Sequence, residues 1–233
     1  MRILAFETSA KAGSVALLQD NCLLAESYQN TGLTHSQTLM TMTQDLLKSC
    51  GCTPQDVDAV AVAAGPGSFT GVRIGVAAAK GFAWGAQLPC YGVSTLEAMA
   101  RQLSVWQGYV LPVMDARRNQ VYNALFSAEE GKLTRECADR AISLEDLEKE
   151  IKNLKKPIFL VGDGSILCYN TLKAAVSNLV LPGEHRMHQR AAGVALVAMD
   201  KIAAGEPGDA AALAPNYLRL SQAERERLAR EQK

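Results

Sequence analysis

The segment Gly65-Pro66-Gly67-Ser68-Phe69-Thr70-Gly71-Val72-Arg73-Ile74-Gly75 is where this chain could handle phosphate. It follows the apolar run Val57 to Ala64 and leads into a helix-like stretch ending near Ala86. Glycines at a strand-to-helix junction allow close backbone approach, and a helix N-terminus offers amide groups to an anion. No Lys-Ser or Lys-Thr follows the second glycine, so this is not a Walker A loop. A second candidate is Glu7-Thr8-Ser9 followed by Gly13-Ser14-Val15. An acidic group for a metal ion, hydroxyls and a turn are the parts of a phosphate-binding hairpin, and equally of an ordinary polar hairpin end. The candidate nucleotide contacts are therefore Glu7, Thr8, Ser9, Gly65 and Gly67.

Other chemistry finds less support. His185-x-x-His188 lacks a nearby third ligand and reads as a solvated pair, and His35 opens a helix. There is no Gly-x-Ser-x-Gly elbow, and paired carboxylates for hydrolysis are not apparent. The six cysteines are scattered, and Cys50-Gly51-Cys52 has no partner pair, so they read as small thiols and not as a metal site. With 24 basic and 24 acidic residues the chain has no overall field for nucleic acid. Any RNA contact must be local, with Arg117, Arg118 and the tail arginines as candidates, or be made through a partner. No apolar stretch precedes a small-residue cleavage site, and none is long enough for a membrane span, so the expected location is a reducing cytoplasm.

These residues need elements to position them. The pattern predicts strands at Arg2 to Glu7, Ser14 to Gln19 and Cys22 to Gln29, the last two joined by the turn Asp20-Asn21. A helix follows from His35 to Cys50 with Thr34 as N-cap, then the strand Val57 to Ala64 and the glycine loop with its helix. Leu88 to Val93 forms a strand, and Ser94 caps a helix over Thr95 to Leu103. That order, β-β-β-α-β-α-β-α, gives a mixed sheet covered by helices. The second half predicts strands at Tyr109 to Met114, Gln120 to Ser127, Gly131 to Ala138 and Ile158 to Val161, and has an apolar run at Leu179 to Leu181. Its helices run from Ser143, Ser165 and Ala191. The expected division is residues 1–105, residues 106–220 with the last helix packing back on the first unit, and a charged tail over 221–233, read as a frayed helix or disordered.

The helix after the glycine loop is apolar nearly all round, and one sheet can cover only one side of it. The helix from His35 carries the stripe Leu39, Met42, Leu46 and Cys50, which could face its own sheet or a partner. Together they suggest a docking surface made of His35, Leu39, Met42, Leu46, Phe69, Arg73, Val76 and Lys80.

Taken in order, Glu7-Thr8-Ser9, Ser14-Val15-Ala16-Leu17, Thr34-His35-Ser36-Gln37, the glycine loop, Gly92-Val93-Ser94-Thr95-Leu96, Asp115-Ala116-Arg117-Arg118 and Pro215-Asn216-Tyr217-Leu218-Arg219 resemble the TsaB (YeaZ) family. The match runs through nearly the whole chain and is looser between Ala128 and Arg190. The resemblance implies an α/β, actin-like ATPase (ASKHA, ribonuclease H-like) fold with two sub-domains of mixed sheets flanked by helices. It implies a non-catalytic scaffold required for threonylcarbamoyl modification of the adenosine next to the anticodon in tRNAs that read A-starting codons. The implied partners are the catalytic relative TsaD and, with it, the ATPase TsaE. A homodimer is expected in isolation, tRNA is met only through the complex, and no membrane is involved.

In the catalytic relative an Asn-His-Leu-Glu-Gly-His segment holds a metal. Here the corresponding residues are Ser94-Thr95-Leu96-Glu97-Ala98-Met99, which keep neither histidine. No catalytic or metal-binding residue is therefore expected, and no tightly bound cofactor beyond weak ATP or ADP. Glu7 stands where the family more often has Asp. The alternative is an ATP-binding or ATP-hydrolysing enzyme of the actin-like superfamily.

Overall fold

A computed structural model describes residues 1–219, so the expectation for the tail over 221–233 lies outside the described residues. Two sheets organise the chain. The first has the order β3-β2-β1-β4-β5, from β1 (Arg2–Glu7), β2 (Gly13–Gln19), β3 (Cys22–Gln29), β4 (Ala59–Ala63) and β5 (Cys90–Val93). The β1–β2–β3 meander is antiparallel, while β1, β4 and β5 run parallel. Alternation sorts the side chains. Leu4, Phe6, Val15, Leu17, Val60 and Val62 face α1 (His35–Ser49) and α2 (Phe69–Ala86). Ile3, Ala5, Ala16, Leu18, Ala59, Ala61 and Ala63 face the other way. That face is covered by α3 (Thr95–Arg101) and α6 (Ala191–Ala203), which touch each other where Gly193 abuts the Ala98 carbonyl. The last helix thus packs on the sheet built from the first residues.

The second sheet has the order β10-β7-β6-β11-β12, with β8 paired to β6 and β9 to β8. Its strands are β6 (Gly108–Asp115), β7 (Gln120–Asn123), β8 (Phe126–Glu129), β9 (Lys132–Arg135), β10 (Arg140–Ser143), β11 (Ile158–Val161) and β12 (Leu179–Val180). One face packs on α4 (Leu144–Ile151) and α5 (Ser165–Leu172), and the other on α3 through Leu96 and Met99 and on Leu103 just after it.

Three local expectations change. Gln120 to Ser127 is two strands, because β7 pairs with the end of β6 and β8 with its beginning. Between them Leu125 turns away: its N–H donates to Cys137 Sγ (3.2 Å) and its carbonyl accepts Glu136 N (2.8 Å). The strand β10 was not anticipated. Thr34 occupies the N-cap position of α1 without a side-chain cap bond, whereas Ser68, Ser94 and Ser143 each accept one.

Candidate functional site

The candidate phosphate residues meet one another directly. Thr8 Oγ1 donates to the Gly71 carbonyl (2.8 Å), and the Ser9 carbonyl accepts Ser68 N (2.6 Å). The glycines make this approach possible. A Cβ at Gly71 would run into the Thr8 carbonyl, one at Gly75 into the Thr8 hydroxyl, and one at Gly67 would stand 2.5 Å from the Ser9 carbonyl. Gly65, at φ 118°, lies against the Asn216 carbonyl. The loop is thus a weld between the β1–β2 hairpin, the start of α2 and the C-terminal segment.

A nucleotide phosphate would need these same approaches, and protein already fills them. Glu7, Thr8 and Gly65 do not line the neighbouring cleft, and only Ser9 and Gly67 of the five expected contacts do. Of the expected nucleotide contacts, Ser9 and Gly67 therefore reach the cleft, while Glu7, Thr8 and Gly65 lie behind it.

Glu7 is completely buried. Burial pushes its carboxyl up to about 7, hydrogen bonds from Ser9 pull it down, and nearby Asp163 pushes it up. Its Oε1 accepts Ser9 N (2.6 Å), and its Oε2 has no partner among the described residues. Asp163 is likewise raised by burial and accepts Gln189 Nε2 (3.1 Å). Among the described residues no group of three or more His, Cys, Asp or Glu could hold a metal ion.

Beside this weld opens a cleft of about 570 Å³ between the two sheets. Its lining includes Lys11 from the hairpin, Asp115 and Arg117 from the β6–β7 turn, Asp163, and residues 216–219. The β6–β7 turn is unusual. Arg117, Arg118 and Asn119 all have left-handed backbones, at φ 65°, 56° and 59°. Such a conformation costs about 1–2 kcal/mol per ordinary residue. The surroundings impose it. Asp115 Oδ1 accepts Arg117 N (2.7 Å), Ala116 N donates to the Gln120 carbonyl (3.0 Å), and the Asn119 carbonyl accepts Leu144 N (3.1 Å).

Sequence reasoning noted the motif at 215–219 but missed its task. Residues 209–219 form a strap along α2. Lys80 Nζ donates to the carbonyls of Ala211 (3.2 Å) and Leu213 (3.0 Å). Arg73 Nε donates to Tyr217 Oη (2.8 Å), Tyr217 stacks on Phe69 at 4.4 Å, and the Arg73 guanidinium lies 4.0 Å over the Phe69 ring. Asn216 N donates to the Ala64 carbonyl (2.6 Å), and Arg219 Nη1 reaches the Ala116 carbonyl (2.5 Å). Phe69, Arg73 and Lys80, expected at a partner interface, are therefore engaged by the chain's own end.

The remaining expected interface residues make their contacts within the chain. Leu39, Met42, Leu46 and Val76 are at most 5% exposed and fill the layer between the helices and the first sheet. His35 Nε2 lies 2.8 Å from the Ala10 carbonyl and pins α1 to the hairpin. What α1 and α2 offer to solvent overlaps the expected set only at Arg73. On α2 it is Thr70, Arg73, Ala77, Gly81, Gly85 and Trp84, which is 79% exposed, and on α1 it includes Met40 and Gln44. A Cβ at Gly81 or Gly85 would meet nothing within 4 Å.

Thr95 and Met99, at the positions of the catalytic relative's histidines, are fully buried. Met99 packs among Leu96, Leu103, Val110, Phe126 and Val161, and Thr95 Oγ1 has no hydrogen-bond partner among the described residues.

A family model described as TsaD, tRNA N6-adenosine threonylcarbamoyltransferase, matches residues 29–227. The chain is 35% identical to the tRNA threonylcarbamoyladenosine biosynthesis protein TsaB of Bacillus subtilis, over 96% of both chains. Among solved structures, YeaZ from Pseudomonas aeruginosa superposes with a TM-score of 0.72 at 29% identity, over 93% of this chain and 99% of that one. The ROK hexokinase of Thermus thermophilus superposes at 0.52 over 87% of this chain and 100% of its own, and at 9% identity shows the fold alone. With its actin-like fold and near full-length similarity to such relatives, the chain belongs to the TsaB (YeaZ) family.

Proposed function

We propose that this chain is the non-catalytic scaffold subunit of a cytoplasmic assembly that threonylcarbamoylates tRNA, binding TsaD and, with it, TsaE. The observation that carries this reading is the pair Thr95 and Met99. They replace two imidazoles with a hydroxyl and a thioether, both fully buried and the thioether inside an apolar core. No nucleotide is held tightly by this chain alone, since the glycine loop is spent on internal packing.

The docking face is the outer side of α1 and α2. Gly81 and Gly85 support this choice. Glycine costs about 1 kcal/mol relative to alanine inside a helix, and nothing among the described residues requires it at either position. Small residues beside the exposed Trp84 suit the close approach of a helix from TsaD. In isolation the same face pairs with a second copy. The test is co-purification with TsaD, followed by a tRNA modification assay with and without this chain. Modification that proceeds equally well without it, or turnover by this chain alone, overturns the proposal.

A further inference from the structure

We propose that the cleft rim formed by Lys11, Arg117 and Arg219, together with the exposed Arg118 next to Arg117 in the chain, is a contact surface for the phosphate backbone of RNA. The inference deepens the scaffold reading and rests on it for the choice of tRNA as the RNA. Three observations converge. First, Lys11, Arg117 and Arg219 come from three distant parts of the sequence yet line one cleft, in a chain whose net charge is zero. Second, the turn carrying Arg117 and Arg118 is held in three consecutive left-handed conformations, and both arginines are exposed. Strain of this kind is kept where it presents particular side chains. The Arg117 side chain is 87% exposed, and its pairing with Asp115 (3.3 Å) is a surface contact that does little to spend its charge.

Third, the charge is layered. The rim is basic, but Asp163 lies in the cleft and Glu7 is buried close to it. These two acidic groups below offer no cation to a phosphate that entered deeply. A backbone lying across the rim meets the cations and avoids the floor. Tyr217, 40% exposed and also lining the cleft, stands where an unstacked base could rest on its ring. A mononucleotide bound deep in the cleft is the competing source of phosphate, and the charge order disfavours it.

The test uses the full chain with fluorescently labelled unmodified tRNA, alone and together with TsaD, over a series of salt concentrations. The variant is K11Q/R117Q/R118Q, which spares Arg219 because that side chain also braces the Ala116 carbonyl. Each lost phosphate contact lowers the slope of log affinity against log salt by about 0.7–0.9, so the triple variant should lose roughly 2–3 in slope. An unchanged slope, or no salt-dependent binding in either arm, overturns the inference. So does full displacement of the RNA by millimolar Mg-ATP, which would assign the rim to a mononucleotide. Co-purification of the same variant with TsaD reads the scaffold proposal separately, because the docking face on α1 and α2 is untouched.

Discussion

Replacing Gly81 and Gly85 by alanine should make the chain more stable at a dilution where it is monomeric, and the assembly weaker. Both positions lie on the outer side of α2, and an added Cβ meets nothing within 4 Å. Helix propensity then acts alone and favours alanine by about 0.8–1.0 kcal/mol in a helix interior. Gly85 sits next to the last residue, Ala86, where fraying reduces the gain, so the pair together should add about 1.5 kcal/mol. For a chain of this size each kcal/mol moves the midpoint by about 2–4 °C, which predicts a rise of about 3–6 °C. The two methyl groups should hold a docking helix away and cost about 1.4 kcal/mol or more of affinity, a tenfold weakening. Thermal melts of the isolated chain and calorimetric titration with TsaD measure the two effects. Gly75→Ala is the internal contrast: its Cβ would collide with the Thr8 hydroxyl, so it should destabilise by about 1–3 kcal/mol. A lower midpoint for the double variant would refute the open-space argument, and unchanged affinity would refute the docking face.

Three further outcomes are expected. Glu7 has a folded pKa of about 7 against an ordinary 4.5, so the folded state binds the extra proton between those values and stability falls as pH rises through that window. Glu7→Gln keeps an acceptor for Ser9 N and should remove this slope, gaining on the order of 3 kcal/mol over the parent at pH 8 and little at pH 4.5 in urea titrations. Met42→Asp and Val76→Asp place a charge in the layer under α1 and α2, so circular dichroism should show loss of the fold itself, at a cost above about 3 kcal/mol. Tyr217→Ala removes the ring stacked on Phe69 and the hydroxyl bound by Arg73, and should lower stability by about 1–2 kcal/mol in the same titrations.

The elements of the first half were legible because their patterns have one solution. The apolar Ala59–Ala63 run fits a strand buried on both faces, and Leu4 and Phe6 alternate with Ile3 and Ala5 onto opposite faces. The site was less legible, because periodicity marks an apolar face without naming what covers it. The stripe Leu39, Met42 and Leu46 would read alike whether it met a sheet or a partner. The glycine loop shows the same ambiguity, since glycine admits a phosphate or a neighbouring backbone equally well. Nothing in Arg117-Arg118-Asn119 announces three left-handed residues, because the contacts that impose them come from Asp115, Gln120 and Leu144. The strap over 209–219 lacks periodicity, and its contacts with α2 are made more than 125 positions apart in sequence.

The placement of α6 has a consequence for synthesis on the ribosome. The sheet begun by Arg2–Glu7 receives part of its second apolar cover only when Ala191–Ala203 arrives. At about 5–20 residues per second, the roughly one hundred residues between α3 and the end of α6 take about 5–20 s to make. Throughout that interval Ile3, Ala5, Leu18 and Ala61 lack the helix that will bury them. A nascent chain halted before residue 191 would therefore present a sticky sheet face, and holdase chaperones should crosslink to it there and release it once α6 has emerged.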